Sequence, residues 1–301
     1  MSKYLQLSQY QKDIALLEPF QKSSHTLTEQ QEQNRLAKLL NELSLVIEQL
    51  GVSDYQVLPH KEQRKLLRAA LNVIPANTLS QTSTQWLDEL LQSELTKKEV
   101  TKVADLEAFP FFTIGSTRVL LWQGDITELQ VDAIVNAANA QMEGCFQPLH
   151  NCIDNAIHSN AGVQLRDDCH KIISMQNGSE PTGQAKVTRA YNLPSKFVIH
   201  TVGPIVSGAL TDVHASDLSN CYQNCLNICR EVVSIKSIAF CAISTGVFGY
   251  PIESATKTAL HTVTKWLEQN PDELETVVFN VFSHRDHQIY QEVMEDFVCQ
   301  F

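Results

Sequence analysis

The sequence predicts an α/β layered domain with helices on both faces of a sheet, preceded by a small all-helical domain. Two observations predict it. Over residues 106–301, short apolar runs rich in β-branched residues alternate with longer helical patterns. Residues 1–105 instead show helical periodicity, few turn signals and no glycine before Gly51. The chain has 301 residues, of which 43% are apolar, enough for one large core or two modest ones. The expected division is therefore a helical domain over 1–105 and an α/β domain over 106–301.

In the first part, Arg35–Leu50 and His60–Val73 carry apolar residues at helical spacing, the second stopped by Pro75. Asp88–Leu95 is a shorter third piece. In the second part, Val119–Trp122, Ala133–Asn136, Phe197–Val202, Ile238–Ile243 and Thr276–Phe282 read as strands. Asp154–Ala161, Asp217–Val233, Glu253–Gln269 and Gln288–Cys299 read as helices. In such folds, ligands bind beyond the carboxyl ends of the strands.

Charge narrows the function classes. Lys and Arg number 23 against 34 Asp and Glu, a net charge of -11, which argues against a nucleic-acid partner. Nearly all of the excess acidity lies after residue 105. An anion bound there needs local donors such as backbone N–H groups, a helix N-terminus or a metal. No apolar run is long enough for a membrane span and no secretory signal is visible, so the expectation is a cytoplasmic chain without membrane partners. Eight cysteines then read as free thiols rather than a disulfide framework. Cys221, Cys225 and Cys229 share one helical face and suit core packing.

Three loops fall at strand ends. Gly124-Asp125-Ile126-Thr127 offers a carboxylate that could accept from an exocyclic amine such as adenine N6, or simply cap a turn. Asn136-Ala137-Ala138-Asn139 combines small residues with amides suited to sugar hydroxyls, or is an Asn-rich turn. Ser244-Thr245-Gly246-Val247-Phe248-Gly249-Tyr250-Pro251 precedes a long helix, and its two glycines allow successive N–H groups to face one anion. It is not a P-loop, because no Gly-Lys-Ser/Thr follows.

GDIT, DAIVNAAN, DNAIHSNAG, NLPSKFVIHTVGP and AISTGVFGYP occur in the order found in macrodomains, which this chain resembles over about residues 115–295. The resemblance implies a three-layer α/β/α fold with a mixed central sheet and a site for ADP-ribose. It implies that Asp125 reads adenine N6 with the Ile126 backbone nearby, and that Asn139 touches the distal ribose. Ser244, Thr245, Gly246, Val247, Phe248, Gly249 and Tyr250 would wrap the phosphates, with Phe248 or Tyr250 near the distal sugar. Asp154 holds the position linked to catalysis in hydrolytic members, and is also a favourable early-helix acid.

The chain departs from most macrodomains between Asn139 and Asp154. In place of a glycine run stands a Cys145-x4-His150-x-Cys152 cluster. Two thiolates and an imidazole suit zinc, and three protein ligands leave the fourth position open, as in catalytic sites. The alternative is a chance cluster in a cysteine-rich chain. Its place beside the distal ribose makes the chain similar to the zinc-containing macrodomains, which also carry a helical N-terminal region. Cys152 thereby becomes both a metal ligand and a wall of the sugar site. His158 and His200 read as structural, and Cys169 as packing rather than a fourth ligand.

The resemblance implies one zinc ion with an open position, and removal of mono-ADP-ribose from modified proteins by cleavage at C1″ of the distal ribose, with Asp154 and Asn139 as catalytic residues. A lipoyl-carrier protein is a target the resemblance brings with it. The rival readings are a non-catalytic ADP-ribose reader, an O-acetyl-ADP-ribose deacetylase, and an interaction protein with a structural zinc.

Overall fold

The computed structural model describes residues 4–22, 26–106 and 111–299. The stretch 107–110, just past the expected division at 105, lies outside the described residues. After a short α1 (Leu7–Tyr10) come α2 (Glu29–Glu42), α3 (Ser44–Gln49), a 3-10 turn at Tyr55–Val57, α4 (His60–Val73) and α5 (Gln81–Leu95). Thr28 starts α2 with a capping box: its hydroxyl accepts from the Gln31 amide, and the Gln31 side chain accepts from the Thr28 amide. The helix expected over Arg35–Leu50 kinks at Leu43, whose φ/ψ of -91/13 leaves the helical region while its amide still reaches Leu39 O. Leu36, Leu39, Leu40, Leu67, Ala70, Leu87 and Leu90 close a core of their own.

A two-residue β1 (Thr101–Lys102) and a single-turn α6 (Val103–Leu106) lead to β2 (Phe112–Ile114) and β3 (Thr117–Gln123). A 3-10 turn at Ile126–Glu128 and β4 (Leu129–Gln130) precede β5 (Ala133–Ala138), α7 (Ile153–Ala161), α8 (Val163–Gln176), β6 (Ala185–Arg189) and β7 (Phe197–Val202). The chain ends with α9 (Asp212–Glu231), β8 (Ser237–Phe240), α10 (Ile252–Gln269), β9 (Thr276–Val281) and α11 (His284–Val298).

The main sheet runs β2-β3-β9-β8-β5-β7-β6. Its five inner strands are parallel and both edges antiparallel, so the sheet is mixed. β7, β8 and β9 are buried at every position, as strands covered on both faces must be. α9, α10 and α11 pack together against the sheet, while α7 lies on β5 and α8 on β6. Cys221, Cys225 and Cys229 are buried core thiols. The first residues also join this large core: Leu7, Tyr10, Ile14 and Leu16 are buried in it. The Val187 amide donates to the Tyr10 hydroxyl at 2.9 Å, which covers an exposed donor of the β6 edge.

Two elements escaped the periodicity. The buried face of α8 includes Arg166 and Asp168 among Leu165, Cys169, Ile172 and Ile173, so charges interrupt its apolar pattern. β6 is a five-residue edge strand carrying a buried lysine, Lys186, paired with Glu180. The strand expected over Ile238–Ile243 stops at Phe240, because the next residues turn back and Thr245 bonds the Ala242 carbonyl. No helix among the described residues is long and apolar enough to cross a membrane.

Candidate functional site

Because β3, β9, β8, β5 and β7 are parallel, their carboxyl ends share one edge of the sheet. The Asp125 loop follows β3, the Cys-His-Cys loop follows β5, and the Ser244–Tyr250 loop follows β8. The three segments therefore open onto the same side.

The loop between β5 and α7 turns through two left-handed residues, Met142 and Leu149, and through Gly144 at φ +89. A Cβ on Gly144 would approach the His158 ring to 3.1 Å, so the position takes glycine on both counts. Asn139 ties the loop to itself: its Oδ1 accepts from the Gln141 and Met142 amides, and its Nδ2 donates to Gly144 O. Cys145, His150 and Cys152 come together, with ligand atoms within 4.8 Å of one another. Cys145 Sγ lies 3.4 Å from His150 Nδ1, close to the edge of about 3.5 Å for a tetrahedron with bonds of about 2.3 and 2.0 Å. Cys152 is the N-cap of α7 and its sulfur accepts from the Asn155 amide. Without a cation, burial pushes the Cys152 thiol up to about 11, with Cys145 adding to the rise. Two thiols and an imidazole whose ligand atoms converge are a donor set that fits a soft-tolerant dication.

Asp154 stands in the first turn of α7 and is 5% exposed. Its Oδ1 accepts from Asn136 Nδ2 at 2.8 Å. Burial pushes its carboxyl up to about 6, opposed by that hydrogen bond and by the Arg166 charge. The other Asn136 hydrogen reaches His200 Nδ1 at 3.2 Å, and His200 Nε2 lies 2.9 Å from Thr188 Oγ1. Both His200 nitrogens are thus engaged, and burial holds its pKa down at about 3, so it is a neutral core histidine. His158 Nε2 lies 3.5 Å from Asp154 Oδ1, but neither ring nitrogen has a well-formed hydrogen bond among the described residues. Cys169 sits with His158 and His200 in a second, fully buried group, not with Cys145, His150 and Cys152. Asn136 was legible only as part of a turn motif; its position under Asp154 comes from the alignment of β5 with α7.

Asp125 is half-buried and caps the following 3-10 turn, its Oδ1 accepting from the Thr127 amide and hydroxyl. That cap uses one carboxylate oxygen. Ile126 beside it is buried. In the Ser244–Tyr250 loop, Ser244 has φ +66 and its carbonyl accepts from the Tyr250 amide at 3.0 Å, closing the loop on itself. The amides of Gly246, Val247 and Phe248 donate to no protein acceptor among the described residues. Ser244 Oγ and Tyr250 Oη are buried without a protein partner among the described residues. Such groups are the ones a polar ligand satisfies. Gly249 at φ +69 passes so close to Val206 O that a Cβ would come within 2.9 Å.

Residues 135–259 match the Macro domain family, a span from within β5 to within α10 that includes the Cys-His-Cys loop and the Ser244–Tyr250 loop. A protein-ADP-ribose hydrolase of Treponema medium is 48% identical over 233 residues, 77% of this chain and 88% of that one. A protein-ADP-ribose hydrolase of Staphylococcus aureus is 41% identical over 261 residues, 86% of this chain and 94% of that one. A solved Oceanobacillus iheyensis macrodomain with ADPR superposes with a TM-score of 0.57 at 37% identity, over 62% of this chain and 97% of that one. The uncovered remainder of the present chain is about as long as its N-terminal helical region. With its strand-end loops in this order and relatives matched along most of their length, the chain belongs to the Macro domain family.

Proposed function

We propose that this chain is a zinc-dependent hydrolase that removes mono-ADP-ribose from modified proteins by cleaving the bond at C1″ of the distal ribose. The observation that carries the reading is the convergence of Cys145, His150 and Cys152 two residues ahead of the buried Asp154, at the sheet edge shared with the phosphate-type loop. The hydrolase names of the Treponema and Staphylococcus relatives support the activity. The ADPR-bound macrodomain supports the ligand.

Cys145, His150 and Cys152 would hold the zinc, which when bound supplies Lewis-acid polarisation and an orienting charge at its open position. Asp125 would accept from adenine N6, with Ile126 beside the ring. The Gly246, Val247 and Phe248 amides would bind the diphosphate, with Ser244, Thr245, Gly249 and Tyr250 completing the cradle. Asn139 would shape the wall next to the distal ribose through its bond to Gly144 O, and Cys152 would border the same sugar. In the reaction, the bond from C1″ to the acceptor side chain breaks and a water oxygen bonds to C1″. Asp154 takes the water's proton, and that proton passes to the acceptor side chain as it leaves, which returns Asp154 to its carboxylate. Asn136 keeps one Asp154 oxygen fixed for that transfer.

The test is release of ADP-ribose from mono-ADP-ribosylated proteins, a lipoyl-carrier protein among them, with metal content assayed on the same sample before and after chelation. Release that stops on chelation and returns with zinc is the expected result. Release insensitive to chelation removes zinc from the reaction. Tight ADP-ribose binding with no release from any protein makes the chain a reader, and release only of acetate from O-acetyl-ADP-ribose makes it a deacetylase.

A further inference from the structure

We infer that Asn72, near the end of α4, is a positioning residue for the Cys145–His150–Cys152 loop, so that the N-terminal helical region builds part of the metal site. The inference rests on the zinc reading above. Asn72 is 2% exposed and both ends of its amide are committed. Its Oδ1 accepts from the Leu149 amide at 3.0 Å, and its Nδ2 donates to Ser159 Oγ on α7 at 3.1 Å. Leu149 immediately precedes His150 and has φ +56, a conformation leucine rarely adopts. The bond from Asn72 therefore falls on the backbone amide next to His150, at a left-handed residue.

Two further chains of contact run from the same helix to the same loop. Arg68 Nη2 donates to Asn155 Oδ1 at 3.0 Å. Asn155 in turn donates from Nδ2 to Gln147 O and from its amide to Cys152 Sγ. Arg166, 4% exposed, donates from Nη1 to Leu71 O and Ile74 O and from Nη2 to Asn72 O. These are carbonyls that the end of α4 leaves without helical partners. The same guanidinium donates from Nε to Glu143 O at 2.7 Å, two residues before Cys145. The loop is thus held at Glu143, Gln147, Leu149 and Cys152, and each hold leads back to α4. Neither helix nor strand runs between Ala138 and Ile153, so these bonds, together with the loop's own, pre-organise the ligands. A contact serving only to fasten two domains would need Asn72–Ser159 and not the bond to Leu149.

The experiment is zinc affinity of the full chain, measured by competition with a chromophoric chelator, alongside ADP-ribose affinity and thermal unfolding of the metal-free form. Asn72→Leu, of similar size but without the acceptor, is expected to raise the zinc Kd by about 10-fold. Ser159→Ala, which removes the other partner of Asn72 and one of the two donors to Asn155 Oδ1 while leaving the Leu149 and Arg68 bonds in place, is expected to leave it within about 2-fold. An unchanged zinc Kd in Asn72→Leu, or an equal rise in Ser159→Ala, overturns the positioning role. If Asn72→Leu does not fold, Arg68→Met is read in its place, with a rise of about 3-fold expected and parental affinity overturning the inference. A parent chain that takes up no zinc overturns this inference and the metal reading together, whereas a zinc-binding parent with unaffected variants overturns this inference alone.

Discussion

The two loops that flank the site are built on opposite principles. The Ser244–Tyr250 loop largely closes on itself: Tyr250 bonds back to Ser244, Gly249 to Gly246, and Thr245 to Ala242, with one outside bond from the Val206 amide to Phe248 O. Its requirements are local, namely glycine at a left-handed position and small residues at the turn. The loop from Glu143 to Cys152 has bonds of its own, from Asn139 to Gly144 O and from the His150 amide to Gln147 O, but it is also fastened from outside at several points, by Asn72 and Arg68 on α4 and by Arg166 on α8. A backbone cradle for an anion needs only its own N–H groups pointing one way. Three side chains converging on one point need their backbone fixed in several places, and a short loop does not contain enough partners to do that alone.

Mutations should separate the two. The largest effect is expected for Cys145→Ala. Outer partners of a metal ligand already cost about 10–100-fold in affinity, so loss of a ligand should cost more than about 100-fold and take hydrolysis with it. ADP-ribose binding should persist in the variant, because the Ser244–Tyr250 loop makes its hydrogen bonds apart from the Cys145 loop; metal analysis and calorimetry on the same preparation check both. Asp154→Asn sharpens the contrast by leaving both loops in place. Turnover is expected to fall by about 100-fold while zinc content and ADP-ribose affinity stay near parental values, as single-turnover kinetics would show. Retained turnover would move the proton transfer elsewhere.

Gly249→Ala addresses the self-contained loop. A Cβ at φ +69 and 2.9 Å from Val206 O should weaken ADP-ribose binding by about 10-fold without altering zinc content. Loss of zinc in this variant would mean that the loops are not independent. The smallest effect concerns the buried layer beneath Asp154. Folding lowers the His200 pKa to about 3 from its ordinary 6.5. Above 6.5 both states are neutral and no slope arises. Below it, the unfolded chain binds a proton that the folded chain refuses, so this residue makes stability fall as pH drops toward 3. His200→Gln lacks that slope. The stability gap between parent and variant should therefore narrow by about 1 kcal/mol between pH 7 and about 5.5, measurable by urea unfolding at each pH.

Much of the fold could be read from the chain because its cues are periodic. α4 spans His60–Val73 and β7 spans Phe197–Val202, the ranges their apolar patterns indicate. α8 could not, because Arg166 and Asp168 occupy its buried face. Arg166 is there to satisfy carbonyls at the end of α4, a purpose invisible until both helices are packed. The same holds for Asp154, whose partner Asn136 lies 18 positions away on β5 and reaches it only because α7 crosses that strand.

The amino-acid sequence by itself determined the alternation of strand and helix, the three strand-end loops, and the grouping of Cys145, His150 and Cys152 in one loop. Each of these is encoded in residues near one another along the chain. The tertiary structure alone decided that Cys169 stands with His158 and His200, apart from that cluster, and that His200 is neutral and fully bonded. It also decided that a helix more than 70 residues upstream holds the Leu149 amide. Buried polar groups must find partners wherever the fold supplies them, and local sequence carries no record of which distant side chain will arrive.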